Sequence, residues 1–136
     1  MKKLFISVPM RGRKDENIKK SIEKMHKLAE VLFECELEVI QSYKAKEDVE
    51  AKHPAVYYLG EAIKKMSQAD CYIGVEVPEF FLYSGCAIEN HVAKSYGIPM
   101  RTLRSEDVVS EGLKTDLYSI LLDPQNNLSE TLSEKS

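Results

Sequence analysis

The sequence predicts an α/β protein, a parallel sheet covered by helices. Two observations carry that prediction. Short runs of β-branched and aromatic residues alternate with longer segments in which apolar residues recur every three or four positions. The alternation reads β-α-β-α-β-α-β from residue 3 to residue 103. With 136 residues, 43% of them hydrophobic, the chain fits one domain around a single core over 1–122, followed by a polar, mobile tail over 123–136.

KLFISV (3–8) reads as a buried strand ended by Pro9. Residues 15 to 34 follow as a helix. Ile18, Ile22, Met25, Ala29, Leu32 and Phe33 form its apolar stripe, and Asp15 and Glu16 suit the positive end of the helix dipole. LEVIQ (37–41) is a second strand, and residues 43 to 53 are charged and loop-like. Pro54 opens another helix with Val56, Leu59, Ile63 and Met66 inward.

CYIGVEV (71–77) is a third strand, closed by Pro78. EFFLY (79–83) is too apolar for an ordinary loop. A helix from Gly85 to Tyr96 ends at Gly97 and Pro99, and IPMRTL (98–103) is a fourth strand. Residues 113–122 carry only a weak helix or strand signal.

Several function classes are excluded or disfavoured by composition. A net charge of -3 gives no general attraction to nucleic-acid polymers or anionic membranes. The basic residues of the first 27 positions suit a solvated helix face. LFISV is too short for a signal core or a membrane span. Cys35, Cys71 and Cys86 are odd in number and lack C-x-x-C spacing, which suits reduced thiols in a cytoplasmic protein. His26, His53 and His91 lie far apart. No metal site and no cofactor are expected. Cys86, with no base beside it in sequence, is expected to pack rather than react.

The stretch SGCAIENH (84–91) carries the chemistry. At about 100° per residue, Ile88, Val92, Gly85, Tyr96, Ala93 and Cys86 share an arc of roughly 160°. Asn90, His91, Lys94 and Ser95 fall opposite, and Glu89 falls near the middle of the apolar arc. A carboxylate there is either satisfied inside the core by Arg or Tyr, or it lines a cavity. The residues before it favour the cavity. Ser84 is a candidate N-cap, Gly85 admits close approach of a ligand, and the first helical turn offers free N–H groups.

A second loop, SVPMRGR (7–13), leaves the first strand at the same sheet edge. Ser7 ends the strand, Pro9 and Gly12 shape a turn, and Arg11 and Arg13 have the chemistry to reach a phosphate. Surface arginines are also commonly just solvated. Neither a P-loop nor a G-x-G-x-x-G fingerprint is present.

Three segments together, FISVPMRG after the first strand, YYLGEAIKKMSQAD (57–70) and SGCAIENHVAKSYGIP (84–99), resemble the nucleoside 2-deoxyribosyltransferase-like superfamily, and within it a small bacterial and phage branch. The resemblance spans residues 3 to 103, and its most specific part is the small-Gly-x-x-x-Glu pattern. It implies a flavodoxin-like (Rossmann-like) three-layer sandwich with four to five parallel strands. It implies that Glu89 is the nucleophile that attacks the anomeric carbon of 2-deoxyribose. By the same resemblance, Ser7, Pro9, Met10, Arg11, Gly12 and Arg13 would contact base and sugar, and Ser84 and Gly85 the sugar 5′ end or its phosphate. Relatives assemble as dimers or larger, so a homo-oligomer is implied.

Two departures qualify that resemblance. Active relatives carry an aspartate on the second helix where this chain has Ala62, next to Glu61, which is expected to be solvated. Transferase members carry another about six residues before the nucleophile, where this chain has Tyr83. Tyr83 is thus the candidate hydrogen-bonding partner for the base. Three accounts follow: an N-glycosidase or deoxyribosyltransferase on deoxynucleosides or their 5′-monophosphates; a non-catalytic nucleotide-binding or sensing module; and a structural subunit joined through the apolar FFLY segment.

Overall fold

The computed structural model describes residues 1–40, 49–77 and 83–109. Four strands and four helices alternate along them: β1 (Lys2–Ile6), α1 (Asp15–Leu32), β2 (Leu37–Val39), α2 (Pro54–Met66), β3 (Cys71–Glu76), α3 (Ser84–Ser95), β4 (Met100–Arg104) and α4 (Ser105–Val109). The strands form one sheet in the order β2-β1-β3-β4, every pair parallel. This is the flavodoxin-like order, and the α/β sandwich expected from the alternation is what the chain adopts. The expectations for EFFLY up to Leu82, for 41–48, for 113–122 and for the tail lie outside the described residues.

The strands divide the core by parity. Leu4 and Ile6 of β1, Cys71, Ile73 and Val75 of β3 and Leu103 of β4 point to one face, where Ile18, Met25, Leu28, Ala29 and Leu32 of α1 and Val108 of α4 cover them. Phe5 and Tyr72 point to the other face and meet Met66 of α2 and Ala93 of α3. Their rings stack at 5.8 Å between centroids with 3° between planes. At the amino edge, Lys3 N donates to Asp70 Oδ2 (2.7 Å) and Asp70 N donates to Lys3 O (2.8 Å). Asp70 thus clamps β1 to β3, far from the carboxyl edge.

Several element ends differ from expectation by one or two residues, with local causes. β1 loses regular pairing after Ile6, although Ser7 N still donates to Ile73 O (2.9 Å). α3 starts at Ser84 rather than Gly85, because Ala87 N donates to Tyr83 O (3.1 Å). Tyr83 therefore holds the N-cap position, without a side-chain cap bond, and Ser84 is the first helical residue. Val56, placed inward by its spacing, is 66% exposed. On α2 only Met66 is buried, because that helix meets the sheet chiefly at its carboxyl end. Glu61 pairs with Lys64 at 3.8 Å on the outer side, the solvated position expected of it. The short helix α4 had no sequence expectation, although Ser105, Glu106 and Asp107 make an acidic first turn.

Candidate functional site

β1 leaves the sheet between β2 and β3, the point where strand order reverses. Ligands of open α/β sheets bind at the carboxyl ends of the strands at that point. Ser7 sits there, two residues beyond Phe5 and on the same face, so its hydroxyl points toward α3. It is buried, at 1% exposure. Its Oγ donates to Glu89 Oε1 at 2.6 Å.

The inward side of α3 is Cys86, Glu89, Asn90 and Ala93, spaced by three and four residues. Cys86 and Ala93 are buried, and Glu89 and Asn90 are partly buried. Glu89 is inward as the spacing predicts, but the arc is centred differently. Tyr96, expected inward, is 81% exposed, and Gly85 is exposed too. Asn90, expected on the solvent side, faces the sheet. Tyr72 Oη donates to Asn90 Oδ1, and Asn90 Nδ2 donates to Val75 O at 2.6 Å. A polar side chain displaced the apolar stripe because the strand beneath it supplies a phenol and a carbonyl that need partners.

Gly74 makes that contact possible. A Cβ there would fall on Asn90 Oδ1 and lie 2.8 Å from both Cε1 and the hydroxyl of Tyr72. Only a residue without a side chain lets the tyrosine and asparagine lie flat on β3. Tyr72, Gly74 and Asn90 were not picked out from sequence. A glycine inside an otherwise apolar strand was the available signal, together with a buried tyrosine whose hydroxyl must find a partner.

Burial dominates the electrostatics. It pushes the Glu89 carboxyl up to about 7, with the Ser7 hydroxyl pulling the other way by hydrogen bonding to the charged form. It pushes the Tyr72 phenol well up, again opposed by Ser7, while the charge on Glu89 adds to the rise. The Cys86 thiol is pushed up to about 12, so it is a packed thiol, as expected, and not a ready thiolate. Among the described residues no cation forms an ion pair with Glu89. No three His, Cys, Asp or Glu side chains come together in a metal-binding group among them.

The remaining residues of the first-strand loop serve the fold more than expected. Pro9 is fully buried, and Met10 packs on the α1 side of the core. Gly12 takes a φ of 72°, the left-handed turn its type permits. Arg13 turns inward: Nη1 donates to Pro9 O (2.7 Å), and Nη2 to Ser21 Oγ (2.7 Å) and Asn17 O (3.3 Å). Ser21 Oγ in turn donates to Val108 O (2.9 Å), tying the loop to α1 and α4. Arg11 is exposed. Tyr83 is partly buried against the core beneath α1. Ser7, Glu89 and Asn90 are thus brought together, whereas Arg13 is directed into the scaffold.

Neither a protein-family model nor a curated protein matches the sequence. Among solved structures, the chain is similar to a conserved protein from Enterococcus faecalis V583, with a TM-score of 0.51 and 20% identity. The match covers 75% of this chain and 62% of that one, so the chain spans less than two thirds of that protein's length. Together with the strand order, the likeness defines the fold class: a parallel α/β sandwich. Glu89 stands at the switch point of this sheet. No helix among the described residues is long and apolar enough to cross a membrane.

Proposed function

We propose that the protein cleaves or transfers the N-glycosidic bond of 2′-deoxynucleosides or their 5′-monophosphates, with Glu89 as nucleophile. The observation that supports this reading is the Ser7–Glu89 pair. A carboxylate without an ion-pair partner among the described residues stands at the carboxyl edge of the sheet, held at 2.6 Å by one hydroxyl. Such a group is oriented without being neutralised. The family likeness of the three sequence segments supplies the substrate class.

In this reaction the ionised Glu89 attacks the anomeric carbon as the C–N bond breaks. The base leaves with the bonding pair and takes up a proton. The oxocarbenium-like transition state is stabilised by the approaching carboxylate and collapses to a glycosyl ester. Water then releases the sugar, or a second base accepts it. Tyr83, at the start of α3, is the candidate partner of the base. The exposed first turn at Ser84 and Gly85 suits the 5′ end, with N–H groups for a phosphate. The site works as a homo-oligomer in this reading, and it requires neither a metal nor a cofactor.

The test is base release from a panel of deoxynucleosides and their monophosphates, with wild type and Glu89→Ala. Release by wild type, lost in the variant, is expected. Its rate should rise with pH through about 7, the range in which Glu89 ionises. Thermal stabilisation by a nucleotide without turnover would point instead to a binding or sensing module.

A further inference from the structure

The β1–β3 ladder stops where α3 reaches it. Ile6 pairs with Ile73, and Ser7 N donates to Ile73 O (2.9 Å). A parallel ladder repeats every two residues, so the next donor on the β1 side is residue 9, and its acceptor is Val75 O. Residue 9 is a proline and has no N–H. Val75 is fully buried, and a buried carbonyl needs a partner. The side chain of Asn90 supplies one: its Nδ2 donates to Val75 O at 2.6 Å. An amide from the helix takes the place of a strand N–H.

Two further features fix Asn90 there. Val75 O only accepts, so Nδ2 must face it, and Oδ1 is left to accept from Tyr72 Oη. Gly74 leaves open the space in which the amide lies. The preceding residue, Glu89, meets Ser7 on the β1 side at 2.6 Å. Residues 89 and 90 thus hold the two chain segments that part at the switch point, one each. Hydrocarbon holds α3 more weakly, since Cys86 and Ala93 are its only buried residues.

We propose that Asn90 is a positioning residue for Glu89: by donating to Val75 O at the ladder place that Pro9 cannot fill, it locks α3 to β3 and holds the Glu89 carboxyl at the mouth between β1 and β3. The meaning of this anchor rests on the reading of Glu89 as the nucleophile. Among the described residues, the titratable and charged groups at the cluster besides Glu89 are Tyr72 of β3, Cys86 of α3 and Arg13 of the first-strand loop. The variants below leave all three in place.

The experiment follows the Glu89 carboxyl by carbon NMR across pH in the free protein, in wild type, Asn90→Ala and Val92→Ala. Without its anchor α3 moves off the mouth, and water reaches Glu89. Regained solvation favours the charged form. It outweighs loss of the Ser7 bond, which acts in the opposite direction and is the smaller influence. The midpoint should therefore fall from about 7 toward 4.5, by at least roughly one pH unit. Val92 lies on α3 three residues beyond Glu89 and packs on the core through hydrocarbon alone. Val92→Ala should lower stability and leave the Glu89 midpoint in place, which separates positioning from a general loss of packing. Where wild type releases base, Asn90→Ala should lower kcat by roughly 10- to 100-fold with KM little changed. An unchanged or raised midpoint in Asn90→Ala, an equal fall in Val92→Ala, or an unchanged kcat overturns the proposal. If Asn90→Ala does not fold, Asn90→Ser replaces it: the hydroxyl is too short to reach Val75 O, and the same fall is required. Absence of base release from wild type would overturn the proposed reaction and leave the NMR result intact.

Discussion

The two faces of the sheet are built from the same strands and are chemically unlike. On the α1 and α4 face, inward residues of β1, β3 and β4 include Leu4, Ile6, Ile73, Val75 and Leu103, closed over by aliphatic side chains. The polar groups at its upper rim, Arg13 and Ser21, satisfy one another and the backbone. On the α3 face, the same strands present Ser7, Tyr72 and Gly74 to Glu89 and Asn90. One face is a hydrocarbon core that stabilises. The other gives up hydrocarbon contact to hold a carboxyl whose proton is lost near neutrality. A chain designed only to fold would have no reason for the second arrangement, because a buried carboxyl costs more than the aliphatic group it replaces.

The largest expected effect tests how tightly the polar face is built. Gly74→Ala places a methyl group against Asn90 Oδ1 and the Tyr72 hydroxyl. Asn90 can retreat only by giving up its bonds to Tyr72 and Val75 O. Overpacking and two disturbed buried hydrogen bonds together should cost about 3 kcal/mol, read from urea unfolding midpoints. A cost below roughly 1 kcal/mol would mean that the tyrosine–asparagine pair is loosely held and that the faces differ less than their geometry suggests.

A smaller effect follows from the carboxyl itself. Glu89 loses its proton at an ordinary 4.5 when unfolded and near 7 when folded. Between those values the folded state binds more protons than the unfolded one, so stability falls as pH rises through that window. Glu89→Gln keeps an acceptor for Ser7 and removes the ionisation. The variant should match wild type near pH 4 and exceed it by about 2 kcal/mol at pH 8, after allowance for partial exposure. Thermal melts at both pH values measure this. Parallel pH profiles for the two proteins would place the Glu89 carboxylate in water and remove the contrast between the faces.

How much of this was legible from sequence follows the same division. The sandwich and its strand alternation came from periodicity, which reports burial of aliphatic groups directly. Glu89 was legible as a carboxylate in an apolar stripe. Its partner Ser7 was legible as a strand-end residue, though not as a partner: the two lie 82 residues apart, and parity across a parallel ladder fixes their contact. Asn90 was misplaced because a helical wheel counts polar residues as outward and cannot see the phenol and the carbonyl that meet it on the strand. Arg13 was legible as a charge at this sheet edge, but not as the donor to the Pro9 carbonyl and Ser21 hydroxyl that it is, because sequence shows charge and not partners. Polar residues inside a fold are assigned by their partners, and partners are a tertiary property.

The smallest effect compares how α1 and α3, one helix from each face, end. α3 ends with Gly97 at φ 72°, where Gly97 N donates to Lys94 O (3.4 Å) and Ile98 N to Ala93 O (3.0 Å). α1 ends with the same pattern: Glu34 N donates to Val31 O (3.3 Å) and Cys35 N to Glu30 O (3.2 Å). Here, however, the left-handed residue is Glu34, at φ 56°. Both are Schellman endings, and the position favours glycine because a Cβ crowds the carbonyl in that conformation. Glu34 is exposed, so its side chain contributes little packing to offset that strain. Glu34→Gly should therefore stabilise the protein by about 1 kcal/mol, despite the added freedom of the unfolded chain. Chemical denaturation resolves a change of that size. Loss of stability on this substitution would show that the Glu34 side chain supplies a compensating interaction, and that the two helices are stopped by different means.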